Sequence, residues 1–151
     1  MMIRRYMAAF LVVGIAAVLM IGGMASADKE SMRTVSKGNY CAIEKREQQV
    51  INNEADWSTL WERMNAGILP IPERPAINFE KETLIAVFTG VRNSGGYSIE
   101  VTGVENKEAL TTIGIKEKTP AADMMVSMSL TSPYHIVALP KLNGKIEFKK
   151  S

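Results

Sequence analysis

The sequence predicts a mainly β protein of the α+β class: an antiparallel β-sandwich or open barrel of about seven strands with one packed amphipathic helix. Three observations lead there. Short apolar or alternating runs recur after residue 39, separated by Gly, Pro, Asn and Ser. Only one stretch has the helical period. Short turns between successive strands favour antiparallel pairing.

The first 27 residues read as a targeting segment. Arg4 and Arg5 give a positive start, Met7–Met24 is an uncharged run of 18 residues, and Ala25-Ser26-Ala27 fits an A-x-A cleavage pattern. A secretory signal peptide is expected, with an uncleaved N-terminal membrane anchor as the alternative, since the run is about long enough to cross a bilayer. Either way the remainder is exported, secreted or held at the cell envelope, because the arginines keep the N-terminus cytoplasmic. Cys41 lies 14 residues past Ala27 with no apolar run directly before it, so it does not fit an acylated lipoprotein cysteine. Residues 28–38 are polar and lack periodicity, and are expected to be a flexible lead-in. Residues 39–151 form the expected β-rich domain.

Within that domain a first strand is expected near Gln48–Ile51. Asn53 then fits a helix N-cap, and Glu54 and Asp56 suit the positive end of the helix dipole. Trp57, Leu60, Trp61 and Met64 fall at i, i+3, i+4 and i+7, one apolar stripe that pins the helix to a sheet. Asn65-Ala66-Gly67 ends it. Pro70, Pro72 and Pro75 make the next stretch an extended connector. Thr83–Val91 is almost continuously apolar and suits a strand buried on both faces. Tyr97–Val104 alternates and suits a half-buried strand. Further strands are expected at Leu110–Lys118, Met124–Leu130, Tyr134–Leu139 and Ile146–Phe148, with Ser132-Pro133 and Pro140–Gly144 as breaks. Between Val91 and Tyr97, Asn93, Gly95 and Gly96 predict a tight hairpin or bulged turn.

Composition excludes several functions. Removing Arg4 and Arg5 from 18 basic residues leaves 16 against 16 acidic, so the remaining chain is formally neutral and carries no signature of nucleic-acid binding. A membrane is expected to be engaged only through the N-terminal segment, if uncleaved. The single cysteine forms no internal disulfide and reads as a buried thiol. One cysteine and one histidine do not make a zinc site, and Gly95-Gly96 lacks the phosphate-loop patterns, so no metal or other cofactor is expected. Neither Cys41 nor any serine sits in a nucleophile motif. His135, the only histidine, therefore reads as structural, and no enzyme is expected. Met124, Met125 and Met128 read as fillers of core or interface gaps. The candidate binding residues are Arg92, Asn93, Ser94, Gly95, Gly96 and Tyr97, with Tyr134 and His135 beside them: two glycines permit close approach, and the arginine and tyrosine are potential anchors.

Four segments together carry a family resemblance: Asp56–Trp61 (D-W-S-T-L-W), Ile77–Phe88, Ser94–Ile99 (S-G-G-Y-S-I) and Ser132–Val137 (S-P-Y-H-I-V). In order and spacing, from about Asn39 to Phe148, the chain resembles the C-terminal domain of the protease-complex subunit PrcB family. Ser94 stands where threonine is commoner before Gly-Gly. The resemblance implies a small exported β-rich domain without known catalysis, named for a subunit that supports an extracellular protease. It assigns no residue a role. A looser similarity, confined to Asn93–Tyr97, links the chain to chagasin-type cysteine-protease inhibitors, β-sandwiches that present a Gly-Tyr loop.

The expected function is thus an exported, non-enzymatic protein-binding module that associates with or stabilises an extracellular protease or another envelope protein. Two alternatives are a protease inhibitor presenting the Gly95-Gly96 loop, and a small hydrolase using Cys41 or His135.

Overall fold

The computed structural model describes residues 31–151, and the expected signal or anchor lies outside the described residues. The chain runs β1 (Arg33–Gly38), β2 (Glu47–Ile51), α1 (Glu54–Met64), β3 (Glu82–Phe88), β4 (Ser98–Lys107), β5 (Leu110–Lys118), β6 (Tyr134–Pro140) and β7 (Lys145–Lys150). Seven strands form two sheets, in the orders β1-β6-β3-β2 and β4-β5-β7. All pairs are antiparallel except β5 with β7.

The result has three layers: helix, four-stranded sheet, three-stranded sheet. The middle layer explains the continuous apolar run. On β3, Leu84, Ala86 and Phe88 face the helix and pack with Trp57, Leu60, Trp61 and Met64. Ile85 and Val87 face the other way, onto Ile99, Val101, Ile113 and Ile115 of the second sheet. β6 repeats the alternation, with Ile136 and Ala138 on the helix side and Val137 and Leu139 between the sheets. A strand with two buried faces has no polar positions to spare.

The helix begins as its sequence suggests. Asn53 is the N-cap, and its side-chain oxygen accepts from the Asp56 N–H at 2.9 Å. The two tryptophans meet edge to face, with centroids 5.2 Å apart. Each indole N–H donates to the proline connector: Trp57 to the Pro75 carbonyl at 3.0 Å, Trp61 to the Pro72 carbonyl at 2.8 Å. The connector is thereby tied alongside the helix. Its prolines leave carbonyls free to accept these bonds.

Three expectations need correction. Residues 33–38 belong to no flexible lead-in. They form β1 at the edge of the four-stranded sheet, paired with β6. Backbone bonds to β6 hold this polar strand, and Val35 is its one apolar residue packed on the core. Second, Met124–Leu130 is not a strand. The chain must leave β5 in one sheet and reach β6 in the other, and this stretch makes the crossing with no neighbouring strand to extend a ladder along it. Third, the Asn93–Gly96 segment is not a hairpin: β3 and β4 lie in different sheets, so it too is a crossing. The true two-residue hairpin is Glu108-Ala109, between the paired residues Lys107 and Leu110, with Glu108 at φ +53°.

Strand register puts these crossings at one end. Gly38 pairs with Tyr134 and Glu47 with Phe88, while Ser98 pairs with Lys118. The helix C-terminus comes to the same end, where the Ala42 N–H donates to the Met64 carbonyl at 2.8 Å. Residues 39–46, 65–69, 89–97 and 119–133 therefore share one pole. Ser31 and Met32, where the described chain starts, lie at the opposite pole beside Lys81, Glu82 and Pro140. No helix among the described residues is long and apolar enough to cross a membrane.

Candidate functional site

The glycine segment and the methionine segment are built into one surface. Arg92 and Thr131 exchange both backbone bonds, at 2.7 and 2.9 Å, as an isolated antiparallel bridge. The Thr131 hydroxyl donates to the Ser94 carbonyl at 2.8 Å, and the Gly95 N–H donates to the Ser127 carbonyl at 2.9 Å. Residues 124–131 thus lie as a strap across residues 92–96.

Both glycines are needed for that fit. A Cβ on Gly95 would come within 2.6 Å of the Ser127 hydroxyl. On Gly96, at φ +84°, it would meet Pro120 Cβ and Val126 Cγ1 at 2.8 Å. The close approach for which Gly95 and Gly96 were singled out exists, and the chain's own strap makes it.

Arg92 and Tyr97 meet each other: the guanidinium sits 5.4 Å from the ring centroid. Arg92 Nε is buried with no hydrogen-bond partner among the described residues. Asn93 is exposed beside it. The strap shows apolar side chains to solvent: Met125 is 98% exposed, Met128 89%, Leu130 67% and Met124 54%. These methionines do not fill the core. Their alternating pattern suited a strand, but only Val126 turns inward far enough to be half-buried.

Tyr134 and His135 sit apart from this surface. Tyr134 stacks on Phe88 with centroids 6.2 Å apart, and its hydroxyl hydrogen-bonds Ser36 Oγ at 3.1 Å. His135 is buried, only 2% exposed, and joins the two sheets. Its Nδ1 accepts the Val101 N–H at 3.0 Å and its Nε2 lies 3.0 Å from Thr34 Oγ1. Accepting at Nδ1 requires a neutral ring with the proton on Nε2, which donates to Thr34. Burial pushes the His135 pKa down, nearby Lys37 lowers it further, and Glu100 opposes both. The histidine latches the two sheets together and is buried away from solvent.

Cys41 bonds elsewhere. Its Sγ lies 3.3 Å from Ser132 Oγ and 3.4 Å from the Ser132 carbonyl. Ser132 in turn donates from Oγ to the Ile43 carbonyl at 2.8 Å and from its N–H to the Asn39 carbonyl. Sequence reasoning missed Thr131 and Ser132, which clamp the pole together. Ser132-Pro133 was read as a break and as part of a family-like segment, and Thr131 was not singled out, although such short hydroxyl side chains commonly bond backbone groups. Among the described residues no group of three or more His, Cys, Asp or Glu could hold a metal ion.

A two-sheet β domain with one covering helix, carrying a strapped polar-to-apolar crossing at one pole, is the class of protein the geometry defines. Residues 83–140 match the family model described as PrcB C-terminal, the family that the sequence resembles. The match begins in β3 and ends with β6, so it includes the glycine segment, the strap and the histidine latch. Asp56–Trp61 and Ile77–Glu82, which also carried the resemblance, fall outside it. No curated protein and no solved structure matches the chain.

Proposed function

We propose that this protein is an exported, non-enzymatic binding module that associates with or stabilises an extracellular protease or another envelope protein. The contact surface is the strapped pole: Arg92–Tyr97 with residues 124–130. One observation carries the reading. Four large apolar side chains stand exposed on a strap that is itself tied down by backbone bonds to the glycine segment. An exposed apolar patch beside an arginine and a tyrosine is what protein interfaces use. The PrcB C-terminal match supports a place beside a protease.

The inhibitor reading has less support. A cleft-entering loop must stand clear, and both glycines here pack against Ser127, Pro120 and Val126. The hydrolase reading also has less, since Cys41 and His135 each spend their hydrogen bonds on other groups.

The test is affinity capture from native envelope extract with the full-length protein and its Met125→Ser/Met128→Ser variant. Both side chains are almost fully exposed, so the folded core is untouched. Loss of a specific partner with the variant is expected. Equal recovery of the same partners would overturn the assignment of the strap.

A further inference from the structure

We infer that the partner segment seated on this pole is apolar and carries one carboxylate that pairs with Arg92. The inference rests on the binding reading above and adds the chemistry of the occupant. The described chain has five arginines. Four of them pair with glutamates: Arg33 with Glu82, Arg46 with Glu117, Arg63 with Glu47 and Arg74 with Glu54. Arg92 alone joins no acidic residue.

Its position is also fixed. Its backbone is fixed on both sides by the Thr131 bridge, and its side chain lies against the Tyr97 ring. Its Nε is buried by the protein itself, which leaves the two terminal nitrogens as the ones a carboxylate would meet. A partly desolvated guanidinium with a fixed orientation suits two-point recognition of a carboxylate. The strap over it is nearly uncharged: from Thr119 to Pro133 the only ionisable side chain is Asp123, while Glu44, Lys45 and Arg46 lie beside the preceding Gly90 and Val91. Methionine adapts its flexible thioether chain to irregular apolar partners. Tyr40 and Leu69, 67% and 89% exposed, extend the apolar character of the same pole. A lipid surface fits less well, because the described chain starts at the opposite pole, so a tether through residues 1–30 attaches at the far end.

Selection of a displayed random dodecapeptide library on the immobilised full-length protein tests this. Enriched peptides are expected to combine aliphatic or aromatic residues with an aspartate or glutamate. Arg92→Met should retain the apolar preference, abolish the acidic one, and weaken an enriched acidic peptide at least about tenfold. Met125→Ser/Met128→Ser should lose both. Enrichment without acidic residues, or an acidic preference unchanged in Arg92→Met, overturns this inference and leaves the binding surface standing. Enrichment unaffected by the double variant overturns the surface as well. Flotation with phosphatidylcholine–phosphatidylglycerol vesicles should be equal for full-length protein and double variant. Flotation that depends on Met125 and Met128 would make the occupant a membrane and overturn the inference.

Discussion

At Gly96 the backbone sits at φ +84°, and a side chain there would meet Pro120 and Val126. Gly96→Ala combines left-handed strain with an overpacked contact, so a loss of about 2–4 kcal/mol is expected in urea unfolding. The neighbouring Asn93, exposed and outside that contact, should tolerate alanine within about 0.5 kcal/mol. His135 supplies a pH dependence with a definite sign. Burial and Lys37 hold its folded pKa below 6.5. Well above pH 6.5 the ring is neutral folded or unfolded, and the full stability is present. As pH falls from 6.5 through the lower folded value, the unfolded chain binds a proton that the folded ring refuses, and stability drops. A protonated Nδ1 could no longer accept the Val101 N–H. Melting curves should therefore shift down as pH falls below about 7, and His135→Gln should flatten that shift. Glu82 and Glu100, held below the usual carboxylate pKa by Arg33 and Lys37, add their own loss only at lower pH.

At the scale of elements, the helix and its proline connector act as one unit. Trp57 is fully buried, so Trp57→Ala should cost about 3–5 kcal/mol through lost burial and a cavity. Trp61→Phe keeps most of the packing but strands the Pro72 carbonyl. About 1–2 kcal/mol is expected, seen as a lower urea midpoint with an unchanged slope. The helix and its cap were legible from Asn53 and the 3.6-residue period, because both are local facts about the chain. The strap was not. Met124, Val126, Met128 and Leu130 alternate as a strand would, yet a strand exists only where another backbone offers a ladder. Here, among the described residues, the only backbone partners beyond its own local turn at Ala121 are Arg92 and Gly95. The converse error befell β1: Thr34, Ser36 and Lys37 look like linker, but β6 offered them an open edge.

For the whole molecule, the decisive arrangement is that β6 lies between β1 and β3 and that His135 reaches from it to the second sheet. Deleting residues through Gly38 would uncover a row of unpaired groups on β6, remove Thr34 from the latch and break the Arg33–Glu82 pair. Such a truncation should aggregate on size-exclusion chromatography, whereas residues 31–151 should give a monodisperse domain. The candidate site is likewise a product of the assembly. Arg92 to Tyr97 could be picked out as unusual in sequence, but the strap that lies on them is about thirty residues further on.

What the chain's order of residues settles is local and periodic: one amphipathic helix with its cap, a strand with two apolar faces, and six of the seven strands. Tertiary structure alone decided which strands share a sheet, that Gly95-Gly96 receives a strap rather than turning a hairpin, and that the methionines face outward. Local conformation follows from neighbours within a few residues. Ladder partners, burial and the company a glycine keeps depend on segments distant in sequence, and only packing brings them together.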